Sequence, residues 1–71
     1  MNILRRKQRD LEIVAYLCTV RGEENGRIIH PTYEEASVKF DLAATHIAKI
    51  KMNMIGKDGP NGERILPKEL S

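Results

Sequence analysis

The chain has one cysteine, no tryptophan and only three aromatic residues, Tyr16, Tyr33 and Phe40. A single thiol, Cys18, excludes an internal disulfide, and it lies in an apolar run away from other metal-ligand types, so a reduced, cytoplasmic setting is expected. With so few rings the core must rest on Ile, Leu, Val, Met and Ala, a composition that favours helices over a β-sandwich. No apolar run approaches the roughly 20 residues that span a bilayer. The basic cluster of MNILRRKQRD is followed by acids instead of an apolar stretch, so neither a membrane segment nor a signal peptide is expected.

The marks of catalysis are missing too. No Gly-rich phosphate loop follows a strand and no Ser or Cys nucleophile motif is present. Glu34 and Glu35 stand at a helix start, where capping accounts for one of them. His46 has only His30 and Cys18 as soft partners, neither at ligand spacing from it. The expectation is therefore no enzyme, no catalytic residue, no metal and no cofactor. No internal repeat, low-complexity tract or linker divides the chain, which reads as a single domain over residues 1–71.

What is there is a small folding unit with polarised charge. A domain near 71 residues buries only about 60% of the surface its unfolded chain exposes, which leaves little for a deep cleft. Apolar residues make up 41% and charged residues 31%, and the net charge is +2. Arg5, Arg6, Lys7 and Arg9 place four cations in the first nine residues with no acid among them. Asp10, Glu12, Glu23 and Glu24 then reverse the sign against Arg21 alone, and from Leu42 onward five cations face three acids. Cations at a helix start oppose the helix dipole, which suggests an anionic partner for that end.

Periodicity predicts a first helix from Leu4 to Val20. Leu11, Val14, Ala15 and Cys18 follow the i, i+3, i+4, i+7 pattern, and Ile13, Leu17 and Val20 widen the stripe. Gly22 is placed to cap its end, GEENG reads as a loop with an Asn25-Gly26 turn, and RIIHP reads as a short strand. Thr32 and Glu35 have capping-box spacing at the start of a second helix. Tyr33, Ala36, Ser37 and Phe40 share one face of it. Asp41 tolerates the left-handed backbone of a sharp turn. Leu42 and Ala43 carry the chain into a third helix, where Ile47, Ile50 and Met54 lie on one side. The turn signals Asp58-Gly59 and Asn61-Gly62 and a short ERIL strand, stopped by Pro67, predict a hairpin after it. Its first strand, near Met52 to Ile55, competes with the end of the third helix.

The stretch TYEEASVKFDLAATHIAKIK resembles the helix-turn-helix of DNA-binding regulators of bacteria and bacteriophages. Ser37, beside Ala36, matches the small residue where two steeply crossing helices approach. Phe40 and Leu42 match the apolar residues flanking the turn, and Ile47 and Ile50 match the later apolar pair. Asp41 stands where the family usually has Gly. With the leading helix, the RIIH strand and a wing over 54–67, the resemblance to a winged helix-turn-helix covers nearly the whole chain, the motif itself occupying 32–53. The implied fold class is mainly α with a small β-hairpin, a three-helix winged helix-turn-helix domain.

The resemblance implies sequence-specific binding of double-stranded DNA, with the third helix in the major groove. Ala43, Ala44, Thr45, His46, Ala48 and Lys49 are then the residues free to face base edges, and Lys49 and Lys51 meet phosphate or guanine. Lys57 and Arg64 would extend the footprint from the wing, and Arg5, Arg6, Lys7 and Arg9 would grip the backbone if the first helix lies near it. A small bacterial or phage transcriptional regulator is the leading expectation. Phage excision or DNA packaging uses the same layout. So does a protein-interaction module such as an antirepressor or polymerase-binding factor. The resemblance thus leaves a homodimer, RNA polymerase or another regulator open as partners, in the cytoplasm of a bacterium or a phage host.

Overall fold

The computed structural model describes residues 3–66, with side chains from Arg5 onward. Five elements follow in chain order: α1 (Ile3–Leu17), β1 (Gly22–Glu24), β2 (Arg27–Ile29), α2 (Tyr33–Phe40) and α3 (Ala44–Ile55). The three helices pack pairwise. Ile13, Val14 and Leu17 of α1, Ala36 of α2, and Ile47 and Ile50 of α3 form the core between them. Tyr16, Tyr33, Phe40, Leu42, Met54, Ile55 and Leu66 close its rim.

The α1 stripe is narrower than its periodicity predicts. Ala15 and Val20 are exposed, and Val20 lies beyond the helix. The helix ends at Leu17, short of Val20, because Thr19 turns the chain: its Oγ1 donates to the Tyr16 carbonyl at 2.7 Å, and its own carbonyl is 2.8 Å from His30 Nδ1. Gly22 consequently does not cap α1; it opens β1. The segment read as a loop is one arm of an antiparallel hairpin pairing Gly22 with Ile29 and Glu24 with Arg27. Asn25 and Gly26, at φ 53 and 80, supply the two positive-φ residues that a tight two-residue turn demands.

The start of α2 is capped by Thr32, whose Oγ1 accepts from the Glu35 N–H at 3.1 Å. The reciprocal half of the capping box is not made, since the Glu35 carboxylate pairs with Arg21 at 2.5 Å. At the other end Asp41 adopts φ 55, ψ 49. Its N–H and that of Leu42 both donate to the Ser37 carbonyl, the latter at 3.1 Å, while Ser37 Oγ donates back to the Leu42 carbonyl at 2.5 Å. The Leu42 bond is the six-to-one closure of a Schellman motif and the Asp41 bond the five-to-one closure of a left-handed cap, with an aspartate at the left-handed position where glycine is commoner. Ala36 is the fully buried small residue of the motif, and Ser37 fastens the turn. Across the core rim Tyr16 and Phe40 meet edge to face, centroids 5.8 Å apart.

The expected hairpin over 54–67 is not formed among the described residues, and Pro67 lies outside them. Met52 to Ile55 belong to α3, so no first strand is left to pair. Both turn signals are used instead in a compact loop, where Gly59 N–H donates to Glu63 O at 2.8 Å and Gly62 N–H to Gly59 O at 3.0 Å. The loop docks on the open edge of β2 through an Ile28 N–H to Asn61 O bond of 2.9 Å. A bundle of three helices with one small hairpin results, mainly α, in a topology consistent with a winged helix-turn-helix. The hairpin lies before α2 and not after α3.

Candidate nucleic-acid interface

α3 has one buried and one open side. Ile47, Ile50 and Lys51 face inward, while Thr45, His46, Lys49, Met52 and Asn53 are exposed. The open side follows from helical spacing: His46, Lys49 and Asn53 stand at i, i+3, i+7, with Thr45, Ala48 and Met52 forming the neighbouring row. No acid occurs anywhere in α3, and its N-terminus, at Ala43, has no side-chain cap. Ala43 is exposed there; Ala44 and Ala48 are half-buried, small enough to let another surface approach closely.

Two shallow depressions meet on this side. One is lined by α3 alone, from Thr45 to Asn53. The other, about 490 Å³, is a groove between α1 and α3 whose walls include Arg6, Arg9, His46, Lys49 and Asn53. The volume would suit a small molecule, but such sites bury most of their ligand; this groove is open, and Arg6, Arg9 and Lys49 line it together with the apolar Leu42 and Ile50. Asp10 is the one acid in its wall, and it is engaged by Arg9 at 3.4 Å. Arg6 and Arg9 are thus brought to α3, while Arg5 and Lys7 are exposed on α1 outside the groove's lining.

Two of the expected contact residues lie elsewhere. Lys51 is only 3% exposed, and its Nζ pairs with Asp58 Oδ1 at 2.8 Å, so it anchors the tail beneath α3 and does not face outward. The reason is periodic: Lys51 follows Ile47 by four residues and shares its buried side. Arg64 is likewise turned inward. Its Nη1 donates to the carbonyls of Leu17, at 3.1 Å, and Pro31, its Nε lies 3.8 Å from Asp58, and its guanidinium stacks 5.1 Å from the Tyr33 ring centroid. Arg64 therefore ties the tail to the end of α1 and the approach to α2. Its N–H also donates to His30 Nε2 at 3.0 Å, which makes Nδ1 the protonated nitrogen, donating to Thr19. Lys57 is exposed on the segment after α3.

Asn53 is the residue that sequence reasoning passed over. Continuing the His46, Lys49 spacing by four residues would have found it. A carboxamide can bond a base edge or a phosphate. Among the described residues no group of three or more His, Cys, Asp or Glu side chains can hold a metal ion, and no helix is long and apolar enough to cross a membrane. Burial holds the Cys18 thiol above its ordinary 9.0, against the opposing pull of Arg64 and Lys51.

No protein-family model, curated protein or solved structure matches the chain significantly. The fold alone therefore describes the class: a small, mainly α domain of three helices and one β-hairpin, in a topology consistent with a winged helix-turn-helix.

Proposed function

We propose that the protein is a single-domain reader of double-stranded DNA that lays the outer side of α3 in the major groove and holds the flanking backbone with the N-terminal half of α1. The observation that carries this reading is the groove itself, in which Arg6 and Arg9 of α1 converge with His46, Lys49 and Asn53 of an acid-free α3. Two helices contribute cations to one open surface, an arrangement suited to a phosphate strand bordering the groove being read. Thr45, His46 and Asn53 offer hydrogen bonds to base edges, while Ala43, Ala44 and Ala48 allow close approach or contact a thymine methyl. Arg6, Arg9 and Lys49 contact phosphate. Arg5, Lys7 and Lys57 add to the field around it.

The biological role that best fits is transcriptional control in a bacterium or phage-infected cell, acting in the cytoplasm by occupancy near a promoter. Excision or packaging of phage DNA would use the same surface. Met52, 48% exposed in the Thr45, Ala48 row, favours a second reading in which α3 docks an apolar partner protein such as polymerase.

Gel retardation of random duplex DNA by micromolar protein at two salt concentrations separates the two. DNA binding gives retardation that weakens steeply with salt. Absence of any salt-sensitive complex would overturn the DNA reading and leave Met52 as the better guide.

A further inference from the structure

The hairpin offers a surface that the groove does not use. Side chains alternate across a strand, so the register places Glu23 and Ile28 on one face and Gly22, Ile29, Glu24 and Arg27 on the other. On β1 Gly22 is half-buried and Glu23 and Glu24 are both exposed, so β2 distinguishes the faces: Ile28 is half-buried and Arg27 and Ile29 are exposed, which makes the second face the more open one. Ile29 is 39% exposed there. Val20, 65% exposed, lies just before β1, beside Arg21, whose N–H donates to Ile29 O at 2.7 Å.

Two features of this face have no partner among the described residues of the chain. Gly22 has an ordinary backbone, and a Cβ added to it would meet nothing within 4 Å. Glycine inside a strand weakens it and often marks a place where another backbone or a ligand comes close. Glu24 and Arg27 are direct cross-strand neighbours, yet the ion pairs of the described residues, Arg9–Asp10, Arg21–Glu35, Lys51–Asp58 and Arg64–Asp58, do not include them.

We propose that a second copy of the chain docks on this outer face about a two-fold axis parallel to the strands. That operation sets β1 of each copy over β2 of the other. Ile29 then lies over the bare Gly22 of the second copy, and Glu24 opposes its Arg27, each contact occurring twice as an isologous interface requires. One face carries both the knob and the hole, and both the acid and the base; this self-complementarity selects a second copy over an unrelated protein. The face is small beside the roughly 800 Å² per partner of a standard interface, so the dimer is weak. It places two α3 helices in one particle, which suits paired sites on a duplex, but it does not depend on DNA being the ligand.

Sedimentation equilibrium of the DNA-free full chain, from micromolar to millimolar concentration, tests the proposal. The parent should show a reversible monomer–dimer equilibrium. Gly22→Val, which fills the hole, and Ile29→Glu should each weaken it about tenfold or more, with circular dichroism melts showing that both variants fold. Glu24→Arg and Arg27→Glu should each weaken it alone, and the double reversal should restore it to within about threefold of the parent. A parent that stays monomeric throughout overturns the proposal, as does a dimer indifferent to Gly22→Val and Ile29→Glu. So does a double reversal no better than either single change. A monomeric parent in which Ile29→Glu impairs binding to another protein would assign the face to that partner instead.

Discussion

Truncating Asp58 should destabilise the fold far more than neutralising the lysine it pairs with. Lys51 Nζ sits 2.8 Å from Asp58 Oδ1, with the lysine side chain 4% exposed and the aspartate 41% exposed. Asp58→Ala leaves Lys51 and the largely buried Arg64 side by side without their shared anion. Breaking a buried pair by removing one partner costs ~3–5 kcal/mol. Solvent reaches Asp58, which screens the pair and moves the estimate to ~2–3 kcal/mol. For a chain of this length each kcal/mol moves Tm by about 4–8 °C, so a drop of roughly 10–20 °C is expected. Lys51→Met removes the buried charge, keeps an unbranched stem in the core, and leaves Asp58 hydrated with Arg64 still 3.8 Å away. Its expected change is within ~1 kcal/mol of zero. Thermal and urea melts followed at 222 nm decide the matter. Equal losses for the two variants, or an Asp58→Ala protein melting with the parent, would refute the assignment of Lys51 to the interior.

Other perturbations follow from the turn, the tail and the thiol. Asp41→Gly should raise stability by ~0.5–1 kcal/mol in urea titrations, because φ 55 strains an aspartate but not a glycine. Arg64→Ala should cost ~3 kcal/mol, read by the same titrations, since two carbonyls lose a charged donor and Tyr33 loses its stacked cation. The Cys18 thiol, raised by burial, binds its proton more tightly folded than unfolded. Its contribution is therefore complete below the ordinary 9.0 and lost as pH rises through the higher folded value. Between pH 8 and 10 the parent should lose more stability than Cys18→Ala, and identical pH profiles would contradict this.

Features set by local chemistry were legible in the sequence, and those set by distant partners were not. Thr32, Asp41, Phe40 and Leu42 announce a capped helix and a sharp turn because each acts within five residues of itself, as the Ser37 to Leu42 bond shows. β1 escaped notice because Gly-Glu-Glu has poor strand propensity; it pairs only because Asn25-Gly26 folds β2 back onto it. The fate of Arg64 depends on carbonyls 33 and 47 positions away in sequence, and no periodicity reports on those. Lys51 misleads for a related reason. Its charge argues for the surface, its spacing from Ile47 argues for the interior, and Asp58 resolves the conflict in favour of burial. The groove joining Arg9 to Lys49 could be anticipated only as a condition, that α1 lie beside α3, since packing alone decides it.

The central claim, that the outer side of α3 and not merely net positive charge engages DNA, is tested most directly by the salt dependence of binding to duplex DNA for two lysine variants. Lys49→Met removes a cation from the groove and Lys51→Met removes one from the interior, so overall charge changes equally. The slope of log K against log salt should shrink by about 0.9 for Lys49→Met and stay at the parent value for Lys51→Met. Equal changes in the two slopes, or no change in either, would contradict the claim.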